Sequence, residues 1–589
     1  MSVKFTDEQL DYINSSIKTH IFLEACPGSG KTEVVAAKVA KEINQWRNKI
    51  QGMAILSFAN SATDELAHRV SKYLKVSQNI FPHFLGTFDS FIYKNIVSPL
   101  ATELTNYIGS NRDSSIRIVE PSANLGYRTK YSYIKRGKVY AHKYSFSLTA
   151  TGNIRQVIFD TGDSILDRTL KGITLERWQL NDFIDTKNKM LNGGFATYRD
   201  IECLALITLT SIEYKEFINL LVKRYPLIII DECQDLSKEQ LAILKILADN
   251  GAKLHFIGDL HQSIYGFREV EPMEVKQFVI DNKFLSLRLT RNFRSCQNII
   301  NVCAQLTGRT GIIGNISWLK PRCLIVQYKN CPTELISTFD ELCKNYENSA
   351  ILSRGHNIIQ KFYTSTSQLN NMQKLALSIK LFDSNNMDAI NNSLEYFSDF
   401  IHHYLNESTK SNSFHCPHSI NSSLLWRKFL YNSLNFFIKN KMQDLEIDWS
   451  SWVKKIKPLI RILSKQDFCP DIISNILTSL NTANLSSPKG LSTQKVSTSL
   501  GITKRSNSLF RKSTIHGAKG ETHDVTILIS SAKSGNEAHW LDWLKDPQSE
   551  AARFAYVASS RPREYLIWAV KTLKMDEIKK LESIGFTIV

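Results

Sequence analysis

The stretch EACPGSGKTEVV at residues 24–35 follows an apolar run, IFLEA (21–25), and leads into an amphipathic segment near 31–45. A strand that ends in a glycine-bearing turn and re-emerges as a helix is half of a β–α–β unit. It commits its part of the chain to a parallel sheet covered by helices. In ACPGSGKT (25–32) the backbone N–H groups of the turn can point at a β-phosphate. Lys31 can reach the β/γ oxygens, and the Thr32 hydroxyl can ligate Mg²⁺. Gly28 and Gly30 remove side chains where the backbone must approach a phosphate, while Ala25 stands where such loops usually carry their first glycine. Two readings stay open on these residues alone: a nucleotide cradle, or a tight turn between strand and helix.

A second motif narrows the choice. LIIIDECQD (227–235) is an apolar strand that ends in two carboxylates. Asp231 is placed to hold Mg²⁺ through water, and Glu232 to polarise an attacking water. An Asp-Glu pair by itself marks a solvated strand end. Behind a buried strand and downstream of a phosphate loop, it fits the acidic half of an ATPase site.

The 589 residues exceed what one hydrophobic core can organise. Strands at 53–58, 225–232, 255–259 and 284–289 continue the first α/β rhythm, which lapses between about 95 and 200. A second rhythm shows at 323–328, 349–354, 524–530 and 565–570, interrupted by an Asn/Ser-rich helical stretch. The plan expected is α/β, with two parallel-sheet domains, each carrying an insert. The first domain takes 1–94 and 201–288 with insert 95–200; the second takes 289–364 and 506–589 with insert 365–505.

The charge balance, 73 Lys+Arg against 56 Asp+Glu for a net +17, favours a polyanionic partner such as nucleic acid. Ten cysteines without a CxxC pair argue against a zinc site and fit a reducing compartment. The stretch His415-Cys416-Pro417-His418 is a weak candidate for metal ligation. No apolar run is long enough for a membrane span and the start lacks the core of a signal peptide, so a cytoplasmic protein is expected.

DECQD together with ACPGSGKT resembles the UvrD/PcrA/Rep-like branch of superfamily 1 helicases, and further segments resemble its motifs in order. FTDEQ (5–9) resembles the adenine-reading Q motif and gives Gln9; LSFANSATDELAHRV (56–70) and GTFDSF (86–91) resemble DNA-contacting segments. In the latter, Asp89 replaces the family's usual histidine. GDLHQSIYGFR (258–268) resembles the γ-phosphate sensor followed by base-stacking aromatics, giving Gln262, Tyr265, Phe267 and Arg268. LTRNFRS (289–295) gives Phe293 over the adenine and Arg294 on the γ-phosphate. STIHGAKGETHDV (513–525) and AARFAYVASSRPRE (551–564) resemble the last motifs, the second placing an arginine finger at Arg561.

The resemblance implies two RecA-like motor domains, ATP and Mg²⁺ as cofactors, and DNA-dependent ATPase and helicase activity on single-stranded and tailed duplex DNA, 3′→5′. Lys31, Asp231, Glu232, Gln262, Arg294 and Arg561 would be catalytic, and Thr32 and Asp231 would hold the metal. Gln9, Ala25, Pro27, Gly28, Ser29, Gly30, Lys31, Thr32, Phe293 and Gly520 would bind nucleotide. Phe58, Asn60, Thr87, Phe88, Tyr265, Phe267, Arg268 and His516 would touch DNA. The motor would serve repair, recombination or defence, as a monomer or in a hetero-complex; an alternative from a different class is an ATP-gated DNA sensor, a regulatory subunit of a nuclease-containing, anti-phage complex with little processive unwinding. The segment YRTKYSYIKRGKVYAHKYSF (127–146), with five tyrosines and six Lys/Arg, reads either as a single-strand platform or as a half-buried ribbon with solvated charges. Arg136-Gly137 is its expected hairpin turn. The chain ends 25 residues after Glu564, which leaves no room for the C-terminal nuclease expected of some relatives.

Overall fold

The structure is a computed structural model that describes residues 4–74, 80–109, 113–121, 123–133, 137–264, 266, 271–315, 322–362, 369–384, 387–405, 407–409, 414–420, 422–500, 510–535 and 537–589. The chain divides into two compact units. One comprises Met1–Ser337, Ala350–Arg354 and Ser513–Val589; the other comprises Thr338–Ser349 and Gly355–Lys512.

Two six-stranded sheets are present, the first of them wholly within the larger unit. Strands β1 (Ile21–Ala25), β2 (Met53–Ser57), β3 (Phe84–Thr87), β4 (Leu227–Asp231), β5 (Lys253–Gly258) and β6 (Leu285–Leu289) form the first, in the order β6-β1-β5-β4-β2-β3. Every neighbouring pair in it is parallel. Strands β2 and β4, with the sequences MAILS and LIIID, are buried at every position. A strand covered by helices on both faces needs such an unbroken apolar run. Its side chains alternate between two cores: Leu227 and Ile229 join Val34, Val35 and Val39 of the helix Lys31–Gln45, while Ile228 and Ile230 join Leu204 and Phe256. Because β1, β4 and β5 run parallel, the turns at 26–30, 231–235 and 259–262 emerge on one edge of the sheet, where α/β folds bind ligands.

The second sheet contains β7 (Cys323–Tyr328), β8 (Ser349–Ser353), β9 (Phe510–Thr514), β10 (His523–Ile529), β11 (Pro562–Lys571) and β12 (Thr587–Ile588), in the order β9-β8-β10-β11-β7-β12. The pairs β10–β11, β11–β7 and β7–β12 are parallel. Trp540, Trp543, Phe554 and Tyr556 pack on it against Ile325, Leu528 and Trp568.

Between β3 and β4 the chain forms an antiparallel hairpin, Tyr144–Leu148 on Ile154–Phe159, and the helix Arg177–Asn192. The tyrosine-rich ribbon has antiparallel arms: Arg128 bridges Tyr140, and Thr129 N donates to Val139 O at 2.9 Å. Arg136, in its expected turn, lies outside the described residues. Its aromatics divide into two groups. Tyr144 is buried and donates to Phe183 O at 2.7 Å, and Tyr133 donates to Asp182 Oδ2 at 2.9 Å, so both are structural. Tyr131 and Tyr140 are exposed.

The smaller unit is helical, with Asn371–Leu381, Met387–His402, Ser423–Lys439 and Trp449–Arg461 packed around Trp426, Trp449, Trp452, Phe397 and Phe437. His415 Nε2 lies 2.9 Å from Asp399 Oδ1 and Cys416 is buried; among the described residues no group of three or more His, Cys, Asp or Glu could hold a metal ion. All ten cysteines are free thiols. Among the described residues no helix is long and apolar enough to cross a membrane.

Trp452 is buried and its indole N–H donates to Met442 O at 3.2 Å. Trp452→Ala is therefore expected to cost about 3–5 kcal/mol of stability. Chemical denaturation followed by tryptophan fluorescence checks this, and an unchanged midpoint would contradict the packing.

Candidate active site

The glycine turn after β1 leaves its backbone exposed to the cleft. Gly28 and Gly30 have φ of 68° and 77°, in the left-handed region that side chains resist. Gly30 caps the helix Lys31–Gln45 without any side-chain hydrogen bond, so the first-turn N–H groups face the cleft unsatisfied by a cap. A Cβ on Gly28 would sit 2.6 Å from Arg294 Cβ and 2.9 Å from Asn292 Oδ1. The loop is thus gripped from behind by the strand Arg291–Cys296, and Phe293 N donates to Gly28 O at 2.9 Å.

Gln9 braces the same loop. It closes a capping box with Thr6, accepting from Thr6 N at 2.9 Å, and its Nε2 donates to Ser29 O at 2.9 Å. Both ends of the amide are occupied, so reading a base would require it to turn out.

Lys31 Nζ is hydrogen-bonded to Glu232 and lies 3.7 Å from Asp231. Burial pushes the Asp231 carboxyl up to about 6, aided by the charge of Glu232 and opposed by Lys31. Glu232 sits in a left-handed backbone conformation at φ 60° and accepts from Gln234 Nε2. Burial would raise its pKa, but Lys31 and Lys519 outweigh this and hold it down to about 2. Lys519, from the second sheet's side, pairs with Asp235 Oδ2 at 2.6 Å.

The remaining cations also come from the second sheet's side. Arg561 Nη2 donates to Gln262 Oε1 at 2.9 Å, and Gln262 Nε2 donates to Asp259 Oδ2 at 2.9 Å. Arg294 Nη1 donates to Ser560 O at 3.0 Å. Burial, with the charges of Arg561 and Arg563, pushes the Arg294 guanidinium down to about 9; burial lowers Arg561 as well. Like charges packed at one cleft disfavour each other until an anion arrives. A cleft of about 960 Å³ lies between these groups, lined by the loop, Asp231, Glu232, Gln262, Phe293, Arg294, His516, Gly520 and Arg561. Ser29 Oγ and Asp235 Oδ1 are buried at it without a hydrogen-bond partner.

Phe293 is 49% exposed and free to cover a ring. Gly520, at φ 90°, turns the chain beside it. His516 Nε2 lies 2.9 Å from Ile264 O, and a carbonyl only accepts, so that nitrogen carries the proton. Phe58 lines the cleft, Asn60 opens the helix Asn60–Leu74, and Thr87 caps the helix Phe88–Ile92 by accepting from Ser90 N at 3.2 Å. Phe88 is only 2% exposed and stacks on Phe58 in the first sheet's core. Tyr265, Phe267 and Arg268 lie outside the described residues. Sequence reasoning passed over Asp259, Lys519 and Tyr556, although all three stand inside quoted motifs. It also passed over Arg309, which stands in none.

Two sheets facing one cleft, with a glycine turn on one side and arginines on the other, fit an α/β two-domain helicase fold. Residues 5–283 match the family described as the UvrD/REP helicase N-terminal domain. DNA helicase II of Haemophilus influenzae is 26% identical over 350 residues, 57% of this chain and 44% of that protein. The ATP-dependent DNA helicase srs2 of Schizosaccharomyces pombe is 24% identical over 418 residues, 65% of this chain and 45% of that protein. The ATP-dependent DNA helicase Rep of Buchnera aphidicola is 24% identical over 333 residues, 55% of this chain and 46% of that protein. Residues 5–283 are thus similar to the UvrD/REP helicase N-terminal domain, and the chain spans less than half the length of these relatives.

Gly28→Ala adds both a left-handed side chain and the contact with Arg294. The strain, about 1–3 kcal/mol, is expected to weaken nucleotide binding about 5- to 150-fold. Titration with a fluorescent ATP analogue reads this, and unchanged affinity would show that the loop does not hold the phosphates.

Proposed function

We propose that this chain is a DNA-stimulated ATPase that translocates 3′→5′ along single-stranded DNA and unwinds tailed duplexes. The observation that carries the reading is the 2.9 Å contact between Arg561 and Gln262, which brings an arginine from one sheet onto the polar residue that follows β5 of the other. The names of the related proteins, DNA helicase II and the ATP-dependent DNA helicases srs2 and Rep, support DNA as the partner.

ATP would place its β- and γ-phosphates on the N–H groups of the 26–30 turn. Thr32 and Asp231 fit Mg²⁺, since a cation would relieve the buried Asp231 carboxyl beside Glu232. When bound, Mg²⁺ would neutralise charge on the phosphate oxygens. Lys31 would exchange Glu232 for the triphosphate, its stronger anionic partner. Glu232, held ionised by that ammonium, would then gain basicity at the moment it orients the attacking water. Arg294 and Arg561, destabilised as buried cations, would be satisfied by the γ-phosphate and draw the sheets together; loss of the phosphate would release them.

Phe58, Asn60, Thr87, His516, Tyr265, Phe267 and Arg268 are the proposed contacts to the strand. Base stacking of about 1–3 kcal/mol per base suits sequence-independent stepping.

Lys31→Ala and Glu232→Gln are expected to abolish ATP turnover, with Glu232→Gln keeping nucleotide affinity. Full turnover in either would overturn the site. Arg561→Ala is expected to lower kcat by about 3–5 orders of magnitude while sparing binding. Strand displacement on 3′- and 5′-tailed duplexes tests the motor directly. Displacement of 3′-tailed substrates alone supports the reading, whereas turnover without displacement of either would contradict unwinding.

A further inference from the structure

Behind Gln262 lies a second layer of charge. The Asp259 carboxylate, 1% exposed, accepts from Gln262 Nε2 at 2.9 Å, from Tyr556 OH at 3.0 Å and from His261 N at 3.1 Å. Its cationic partner is Arg309, whose Nη1 lies 3.2 Å from Asp259 Oδ1; among the described residues no other cation pairs with it. The same nitrogen donates to Ala25 O at 3.4 Å, where the phosphate loop begins, and Nη2 lies 3.6 Å from Glu24. Arg309 therefore touches the ends of both β1 and β5.

The backbone fixes where this guanidinium can reach. The helix Gln297–Thr307 stops at Gly308, whose φ of 68° turns the chain, and Arg309 N donates to Thr307 Oγ1 at 3.3 Å. Burial would lower the Arg309 pKa, but Asp259, Tyr556 and Glu24 outweigh it, so the charge is permanent.

We infer that Arg309 is a positioning residue, which holds Asp259 in the orientation that aims Gln262 at the γ-phosphate and ties the start of the phosphate loop to the second sheet's side. The inference rests on the proposed ATPase reading and deepens it. Arg309 touches no substrate; it acts through Asp259. Removing it leaves a buried carboxylate with no cation, a state that a protein relieves by protonation or by turning toward water. Either change withdraws the acceptor from Gln262 Nε2.

A mutant cycle tests this. ATP turnover at saturating ATP and single-stranded DNA is measured for the wild-type chain, Arg309→Ala, Gln262→Ala and the double variant, with thermal midpoint and nucleotide-analogue affinity recorded for each. Arg309→Ala is expected to lower kcat at least about tenfold with KM little changed, and to add less than about twofold in the Gln262→Ala background. Arg309→Gln, which is shorter and uncharged but keeps an amide donor, serves as the second variant if Arg309→Ala fails to fold. Multiplicative losses in the two backgrounds, or an unchanged kcat in the single variant, overturn the inference and leave the ATPase reading standing. A wild-type chain whose turnover ignores DNA overturns both.

Discussion

The buried carboxylate of Asp259 is the charge around which the two sheets are arranged. It stands at the end of β5 and is balanced by Arg309, donated to by Tyr556, and connected through Gln262 to Arg561. The chain that follows it is held by the second sheet's side at nearly every step. Arg553 Nε donates to Ser263 O at 2.7 Å, His516 contacts Ile264 O, and Gly266 N donates to Glu550 at 3.2 Å. A buried ion that loses its partner costs far more than the pair contributes, so such a network tolerates few intermediate arrangements. The proposed clamp would need such a two-position interface.

The cleft itself is poised electrostatically. Lys31 rests on the carboxylates of Asp231 and Glu232, while Arg294 and Arg561 stand close together with their cationic forms disfavoured by burial. In the proposed reading a triphosphate would resolve both tensions at once, drawing Lys31 from Glu232 and giving the arginines a common anion, so that binding, catalysis and closure of the sheets would share the same contacts.

Much of this was legible in the sequence because the decisive strands are buried and short. LIIID, MAILS and CLIVQY could hardly be other than central strands, and the structure places strands at Leu227–Asp231, Met53–Ser57 and Cys323–Tyr328. The strands passed over, β3, β9 and β12, are half-exposed or only two residues long and carry little periodicity. The strand ends that carry the glycine turn and the acid pair were legible because each follows a short apolar run. Arg309 was not, since a single arginine after LTG has no pattern; its role comes from Gly308 turning it toward Asp259. Phe88 shows the opposite failure, an aromatic inside a suggestive motif whose ring fills the core. In the tyrosine ribbon, composition could not distinguish Tyr144, locked onto Phe183 O, from Tyr131 at the surface.

The central claim is that nucleotide draws the two sheets together. Fluorophores at Lys18→Cys, before β1, and Ser583→Cys, before β12, would sit on exposed positions of the two sheets' domains. Energy transfer between them, recorded without nucleotide, with a non-hydrolysable ATP analogue and with ADP, reads the clamp directly. A shorter separation with the ATP analogue that relaxes with ADP is the expected result. An unchanged separation in a chain that demonstrably binds the analogue would contradict the clamp.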